Sequence, residues 1–358
     1  MKPKLPIDLW LMAPVIVLIT VSLTTLFSIN TAFFKSQIIS LVIGIIAFLV
    51  FSKINIDFLK AFKLPIYILS LVFLLITFVI GVETRGAVRW IDIFGIRFQF
   101  SEILKPFLSL SFAAQLSEEN SSGMKSFLLN VAFLIPVVGL IFLQPDLGTA
   151  LLYAGAGFFA LVIFGYPLVW FFILLFPLLL ISPFLGFLLH GYQMKRISTF
   201  LNPSQDPLKS SYNGIQAIIA VGSGTLLGKG ISEGTQSVLK FLPERHTDFI
   251  FATVAEGIGF LGTSVVIFSF ILLAYRIYIL FNQADDRFSQ IFLSLSFGFL
   301  LIQGFVNMAM NIGLLPIVGI TLPFVSFGGS SLLSNFIFLG LITSLSVNSR
   351  NKHVLEIR

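Results

Sequence analysis

The chain has 358 residues, 57% of them hydrophobic and 11% charged, with 42 phenylalanines, no cysteine and a net charge of +6. Soluble domains carry roughly 25% charged residues, so water is not this chain's main solvent, and its long continuous apolar runs exclude the short alternating strands of a membrane β-barrel. The missing cysteines remove disulfides and thiolate metal sites, and basic residues dispersed between apolar segments point to membrane topology rather than nucleic acid.

A bilayer core about 30 Å thick takes roughly 20 apolar residues per helix. In chain order, apolar stretches bounded by charge, Pro or Gly predict ten spans: 7–29, 33–52, 64–82, 101–117, 126–143, 147–164, 168–189, 249–281, 288–313 and 325–346. The fold class that follows is an all-α polytopic bundle of about ten transmembrane helices, one membrane domain over residues 1–358. Lys2 and Lys4 lead into a retained first helix, because no small-residue cleavage site interrupts it. Asn30 and Lys35 divide the first pair of spans, and Gln144-Pro145-Asp146 and Gly165-Tyr166-Pro167 punctuate later ones.

With ten spans, Lys2, Lys4, Lys53, Lys60, Lys63, Lys125, Arg276, Arg287, Arg350, Lys352 and Arg358 fall on one side, expected to be the cytoplasm along with both termini. Two outward connections stand apart. The segment Glu83 to Phe100 carries Arg85, Arg89 and Arg97 against that trend. The large loop 190–247, from His190 to Thr247, is far longer than the roughly 2–8 residues that join bundled helices. Within it, Tyr212 to Val221 mixes apolar and polar positions as a surface or re-entrant helix does.

Ionisable groups in or beside a membrane are costly, which makes them functional candidates, with paired structural charge as the alternative. Glu244, Arg245, His246 and Asp248 stand just before the eighth span, where Asp and Thr also serve as helix caps. Glu256 lies eight residues on, about 12 Å deeper at 1.5 Å per residue, and needs a partner. Glu102 and Lys105, at i and i+3, share a helix face and can neutralise each other or pair with the Asp248 region. Asp146 follows Gln144-Pro145 where a helix restarts, the position of a cap. Arg89, Trp90, Arg97 and Gln99 lie at the outer interface; Trp anchors there, and Arg suits bidentate phosphate recognition. The glycine-rich stretches lack the spacing of nucleotide-binding loops. His190, His246 and His353 lack ligand spacing. No cofactor is evident, and a divalent ion held by carboxylates and pyrophosphate is possible but not indicated.

The stretch Gly224 to Gly262, GTLLGKGISEGTQSVLKFLPERHTDFIFATVAEGIGFLG, resembles the long outer loop and following helix of the shape, elongation, division and sporulation (SEDS) family. Asn311 to Leu333, Gln144 to Thr149 and Gly86 to Lys105 resemble three further blocks of that family, so the likeness covers nearly the whole chain. Gly234-Thr-Gln-Ser237 and Phe241 to Asp248 look more like the rod-elongation branch than the division branch. Two positions depart from the pattern: Phe100 replaces the Pro usual before Ser101-Glu102, and Gly257 replaces an acidic residue that often follows Glu256.

The resemblance implies a peptidoglycan glycosyltransferase that polymerises lipid II at the outer face of the bacterial cytoplasmic membrane. Its implied partners are a class B penicillin-binding protein, a transpeptidase, and the other proteins of the cell-wall elongation complex. Joining saccharides carried on polyprenyl pyrophosphate requires a base and nearby positive charge. On this reading Asp248 is the base or positions the acceptor; Arg89, Arg97, Gln99, Lys105 and Arg245 contact substrate; and Glu102, Asp146 and Glu256 are supporting charges. A lipid II flippase and a non-catalytic scaffold are the alternatives.

Overall fold

The computed structural model describes residues 8–84, 87–93, 95–119, 123–181, 191–202 and 211–356. The sequence readings at Lys2, Lys4, Arg85, Gly86, residues 182–189, His190 and Arg358 lie outside the described residues, as do the side chains of Arg350, Lys352 and His353.

Helix α1 (Leu9–Ile29) starts where Asp8 accepts the main-chain N–H groups of Trp10 and Leu11. Asn30 ends α1, and its side chain then accepts the Ala32 N–H to start α2 (Thr31–Phe51), so one residue makes the turn between two spans. The short α3 (Ile56–Ala61), capped by Asn55, leads to α4 (Lys63–Ile80). Strands β1 (Val82–Thr84), β2 (Ala87–Ile93) and β3 (Ile96–Phe98) then form an antiparallel sheet in the order β1-β2-β3. This sheet was not expected in an all-α fold. Its β2–β3 turn is closed by Gly95, at φ 82°, whose N–H donates to Asp92 Oδ1.

The fourth predicted span is divided into α5 (Phe100–Ile103) and α6 (Lys105–Ser117), because Pro106 has no N–H to continue the first helix and suits the first turn of the second. Next come α7 (Met124–Leu143) and α8 (Leu147–Phe164), the latter started by Asp146 accepting the Thr149 N–H and ended by Gly165 at φ 108°. They are followed by α9 (Leu168–Ile181), α10 (Gly191–Leu201), α11 (Tyr212–Ser223), α12 (Thr235–Val238), α13 (Ile250–Asn282), α14 (Arg287–Asn311) and α15 (Gly329–Glu356). A helix therefore stands at each of the ten predicted spans. Eight of them, α1, α2, α4, α7, α8, α13, α14 and α15, are long and apolar enough to cross a membrane, which makes this a multi-pass membrane protein. The expected helix over Tyr212 to Val221 is α11. The final span begins at Gly329 rather than residue 325, because 312–328 is a loop.

The packing is that of a bundle in lipid. Ile39, Ile46, Leu69 and Val79 point outward, whereas Ser22, Thr25, Gln37, Ser70, Thr77 and Asn130 are buried. Lipid makes an apolar exterior free of penalty, so interhelical polar contacts and close packing carry the association. Gln37, for example, reaches from α2 to the Ser326 carbonyl at 3.2 Å.

A second span is interrupted as well. The eighth is broken at Gly259, whose φ of 73° and ψ of −164° interrupt α13. The groups freed by the break do not stay open. The Glu256 and Gly257 carbonyls accept the N–H groups of Lys229 and Gly230, while Phe260 and Leu261 donate to the Thr225 and Leu226 carbonyls. The loop after α11 is therefore docked backbone to backbone into the interrupted helix.

Candidate functional site

The site is built where the approach to α13 meets the loop 312–328. Asn307 and Asn311, one turn apart on α14, both donate side-chain N–H groups to the Asp248 carbonyl at 3.0 Å. Asn307 Nδ2 also donates to the Ile320 carbonyl at 2.7 Å. Ser326 Oγ donates to the Thr247 carbonyl at 2.7 Å, and the Phe327 N–H to the His246 carbonyl at 2.9 Å. The His246 ring stacks on Phe33 of α2, centroids 4.2 Å apart. Residues 246–248 are thus held through their main chain, and the Thr247 hydroxyl also donates to Glu244.

Gly319 lies opposite. Its φ of 75° is a left-handed conformation that glycine adopts without strain, and it also leaves space. A Cβ there would sit 3.5 Å from Asp248 Oδ2, 3.9 Å from Arg196 Nη1 and 4.0 Å from Arg89 Nη1. One carboxylate and two guanidinium groups from three separate segments therefore converge on one small volume. Chemically, such a set can hold an acidic ligand through the guanidiniums with a carboxylate beside it.

Arg89, on β2, is fixed from behind: Nη2 donates to the Pro145 carbonyl at 2.9 Å, and Nε stands 3.6 Å from Asp146 Oδ2. Asp146 is 1% exposed. It accepts the Thr149 N–H as a helix cap and the Gln99 side-chain amide at 3.2 Å. Both sequence readings of Asp146, cap and supporting charge, describe what it touches. Gln99 serves this support, with its main-chain N–H on Ser330 Oγ at 3.1 Å.

The other expected contacts are not gathered at Gly319. Arg97 is 57% exposed on β3 and faces Asp92 across the hairpin at 3.9 Å. Lys105 is fully buried, 2.7 Å from Glu102 Oε2 and donating to Gln303 Oε1 at 3.0 Å. Gln303 continues to Thr321 Oγ1 at 2.9 Å, and Thr321 to Ser331 Oγ at 3.0 Å. This buried polar chain passes through Thr321, next to Ile320, so the Glu102–Lys105 pair supports the loop from below. Arg245 is half-buried beside the segment, and its Nε makes no hydrogen bond. Burial pushes its pKa below the usual arginine value, while Glu244 opposes that shift.

Glu256 finds the partner it needs. Fully buried, it accepts the Gln236 and Ser237 N–H groups at 2.9 and 2.8 Å, with Lys229 Nζ at 3.7 Å. A carboxylate at the first turn of α12 meets unpaired N–H groups, which is ordinary helix capping carried out across the fold.

Sequence reasoning passed over Arg196, Asn307, Asn311 and Gly319. Asn307 and Asn311 did carry a signal: two amides at i and i+4 on an apolar helix share a face and must be satisfied within the bundle. Arg196 carried only membership of a basic stretch in the long loop. Among the described residues no three His, Asp or Glu side chains are grouped as a metal site.

The family model described as "Cell cycle protein", covering FtsW, RodA and SpoVE, matches residues 3–351. Peptidoglycan glycosyltransferase MrdB of Escherichia coli K12 is 35% identical over 321 residues, covering 88% of this chain and 86% of that protein. The probable peptidoglycan glycosyltransferase FtsW of Trichlorobacter lovleyi is 35% identical over 325 residues, 88% of this chain and 83% of its own. Among solved structures, a chain from a peptidoglycan synthase complex that coordinates polymerization and crosslinking aligns at TM-score 0.84 with 29% identity, over 97% of this chain and 99% of that one. The rod shape determining protein RodA of Thermus thermophilus aligns at TM-score 0.73 with 28% identity, over 97% of each chain. With its outer-loop and C-terminal motifs folded around one carboxylate, and a family match over almost its full length, this chain belongs to the FtsW/RodA/SpoVE family of cell cycle proteins, the SEDS family.

Proposed function

We propose that this protein is a peptidoglycan glycosyltransferase that polymerises lipid II into glycan strands during cell elongation, with Asp248 at its reacting centre. The observation that carries the reading is the convergence of Asp248, Arg89 and Arg196 on the space at Gly319. In the reaction, the acceptor hydroxyl gives its proton to the Asp248 carboxylate as its oxygen bonds to the donor's anomeric carbon. The anomeric bond to pyrophosphate breaks, and the leaving group departs with the electron pair. The guanidinium groups offset the charge that grows on the departing oxygen.

The charge distribution supports an extracytoplasmic site. Arg276, near the far end of α13 from Asp248, pairs with Asp8 at 2.8 Å, and Lys60 pairs with Asp286 at 3.5 Å. That basic end is the cytoplasmic one by the positive-inside rule. On this reading the helix ends at Asp8, Lys60, Arg276 and Asp286 are cytoplasmic, and Asp248 faces outward. A class B penicillin-binding protein is the partner that supplies crosslinking; the similar chain from a peptidoglycan synthase complex supports this.

The broken α13 raises the flippase alternative, since transporters use broken helices to bind ions and substrates at the midplane. Here the freed carbonyls of Glu256 and Gly257 and the N–H groups of Phe260 and Leu261 are taken by the loop. These four groups are engaged by the loop rather than by a cargo, which favours the polymerase reading. The test is glycan-strand formation from purified lipid II by the protein fused to its transpeptidase partner, comparing wild type with Asp248→Asn at equal folding. Polymer from wild type alone supports the assignment. Polymer from neither directs attention to transport, and polymer from both removes Asp248 from the chemistry; a capping role is not the alternative, because the N-cap of α13 is Phe249, with no side-chain cap.

A further inference from the structure

Arg196 belongs to two places at once. Besides pointing at the Gly319 space, it lines a groove of about 110 Å³ between α10, α11 and the loop after α14. Its walls are hydrocarbon, supplied by Phe200, Ile215, Ile218, Met310 and Ile317, and Gly214 contributes no side chain. Ser211 also lines it; that residue is 3% exposed and its hydroxyl has no hydrogen-bond partner. Buried hydroxyls are nearly always paired, so a water or a ligand oxygen at the edge of the groove completes Ser211.

We propose that the groove is the carrier subsite: it takes the first isoprene units of a polyprenyl diphosphate, with the diphosphate held between Arg196 and Arg89. This rests on the glycosyltransferase reading and specifies where the lipid of one substrate lies. Charge complementarity selects the occupant. Two guanidiniums within 4.0 Å of one point fit two adjacent phosphoryl groups, whereas a bilayer phospholipid offers a single phosphodiester and two acyl chains. Arg196 is then a substrate contact, and its place on α10 aligns the leaving group with Asp248.

The test uses the full chain in nanodiscs and a diazirine-bearing farnesyl diphosphate, with labelled peptides mapped by mass spectrometry. Labels are expected within 196–200, 211–218 and 310–317, displaced by undecaprenyl diphosphate but not by excess phosphatidylglycerol. Gly214→Leu fills the groove, and its helix tolerates the change because a Cβ at Gly214 meets only Ile317 Cδ1 at 3.5 Å. It should cut labelling about tenfold and raise the lipid II KM about tenfold, with kcat within about threefold. Arg196→Ala should cut labelling by the diphosphate while leaving that by the matching diazirine farnesol unchanged. Wild-type labelling and KM in Gly214→Leu, equal loss of both probes in Arg196→Ala, or displacement by phosphatidylglycerol would each overturn the proposal. Wild type that labels in the groove yet forms no glycan keeps the subsite and removes the glycosyltransferase reading. Wild type that polymerises while labelling elsewhere does the reverse.

Discussion

Replacing Asn307 tests whether Asp248 is positioned through its main chain. Asn307 is fully buried, and its Nδ2 holds the Asp248 carbonyl at 3.0 Å and the Ile320 carbonyl at 2.7 Å. In Asn307→Ala the Asp248 carbonyl keeps its bond from Asn311, but the Ile320 carbonyl loses this donor. An acceptor left unsatisfied costs about 1–3 kcal/mol, and the void left by the amide adds on the order of 1 kcal/mol. The expected destabilisation is therefore about 2–4 kcal/mol, which a well-folded bundle survives. The effect on chemistry is larger in proportion. Asn307 sets the separation of Asp248 from the Gly319 turn, and a shift of about 1 Å costs roughly a hundredfold in rate. Lipid II polymerisation by detergent-purified protein, read as kcat and KM with thermal unfolding measured alongside, should show kcat down about 10- to 100-fold and KM little changed. Asn307→Leu separates the causes, because it retains the volume and removes the donor. Equal loss in both variants assigns the effect to the hydrogen bonds; recovery in the leucine variant assigns it to the void. A folded Asn307→Ala protein with kcat within about twofold of wild type would refute positioning through Asn307.

Two further outcomes follow from local geometry. Gly259→Ala puts a Cβ 2.2 Å from the Gly228 nitrogen and 2.7 Å from the Leu226 carbonyl oxygen, in a backbone conformation open essentially to glycine alone. The docked loop has to leave, and a loss of more than about 3 kcal/mol is expected, seen as failure to purify as a monodisperse species; normal yield and melting would contradict the docking. Asp286 governs acid stability at the other end of the bundle. Burial alone would raise its pKa, but the Ser289 hydroxyl and N–H and the Lys60 ammonium outweigh burial and hold it below the ordinary 3.8. A carboxyl depressed in the folded state contributes stability above its unfolded pKa and loses it as pH falls through the folded value. Asp286→Asn should therefore melt lower than wild type at pH 6, with the difference closing below about pH 3.8; a gap that persists unchanged at pH 3 would remove the charge from the explanation.

What could be read from the sequence was what local chemistry decides. Asn30, Gln144-Pro145-Asp146 and Gly165 end helices through their own side chains or backbone, so those boundaries fell where expected. The acidic residue after His246-Thr247 was found because a carboxylate at the mouth of an apolar helix is unusual wherever the chain folds. The sheet over 82–98 was missed because Trp90 and the arginines drew attention to the interface and away from the alternation that pairs Asp92 with Arg97. Arg97 and Lys105 were grouped with Arg89 on chemical type alone. Strand pairing turns one outward, and a neighbouring glutamate takes the other.

The break in α13 is a different kind of omission. Gly257-Ile258-Gly259 within an apolar run reads as a helix carrying two tolerated glycines, and only contact with residues more than 25 positions away opens it. Gly224 and Gly228 let that contact happen: a Cβ at either would lie 1.9 Å from the Ala255 oxygen or 2.3 Å from the Gly257 oxygen. The same short half-helix carries Asp248 just before its start and Glu256 near its end. Glu256 fastens Gln236 and Ser237, so the loop leading back to residue 241 is tied to the helix that it precedes. The site is therefore closed on itself. The long loop places Arg196 over Asp248, docks in the break, is held by Glu256, and returns as the segment that carries Asp248. A span interrupted at Gly259 serves this arrangement better than a continuous one, because the freed backbone groups give the loop a fixed seat and are themselves satisfied by it.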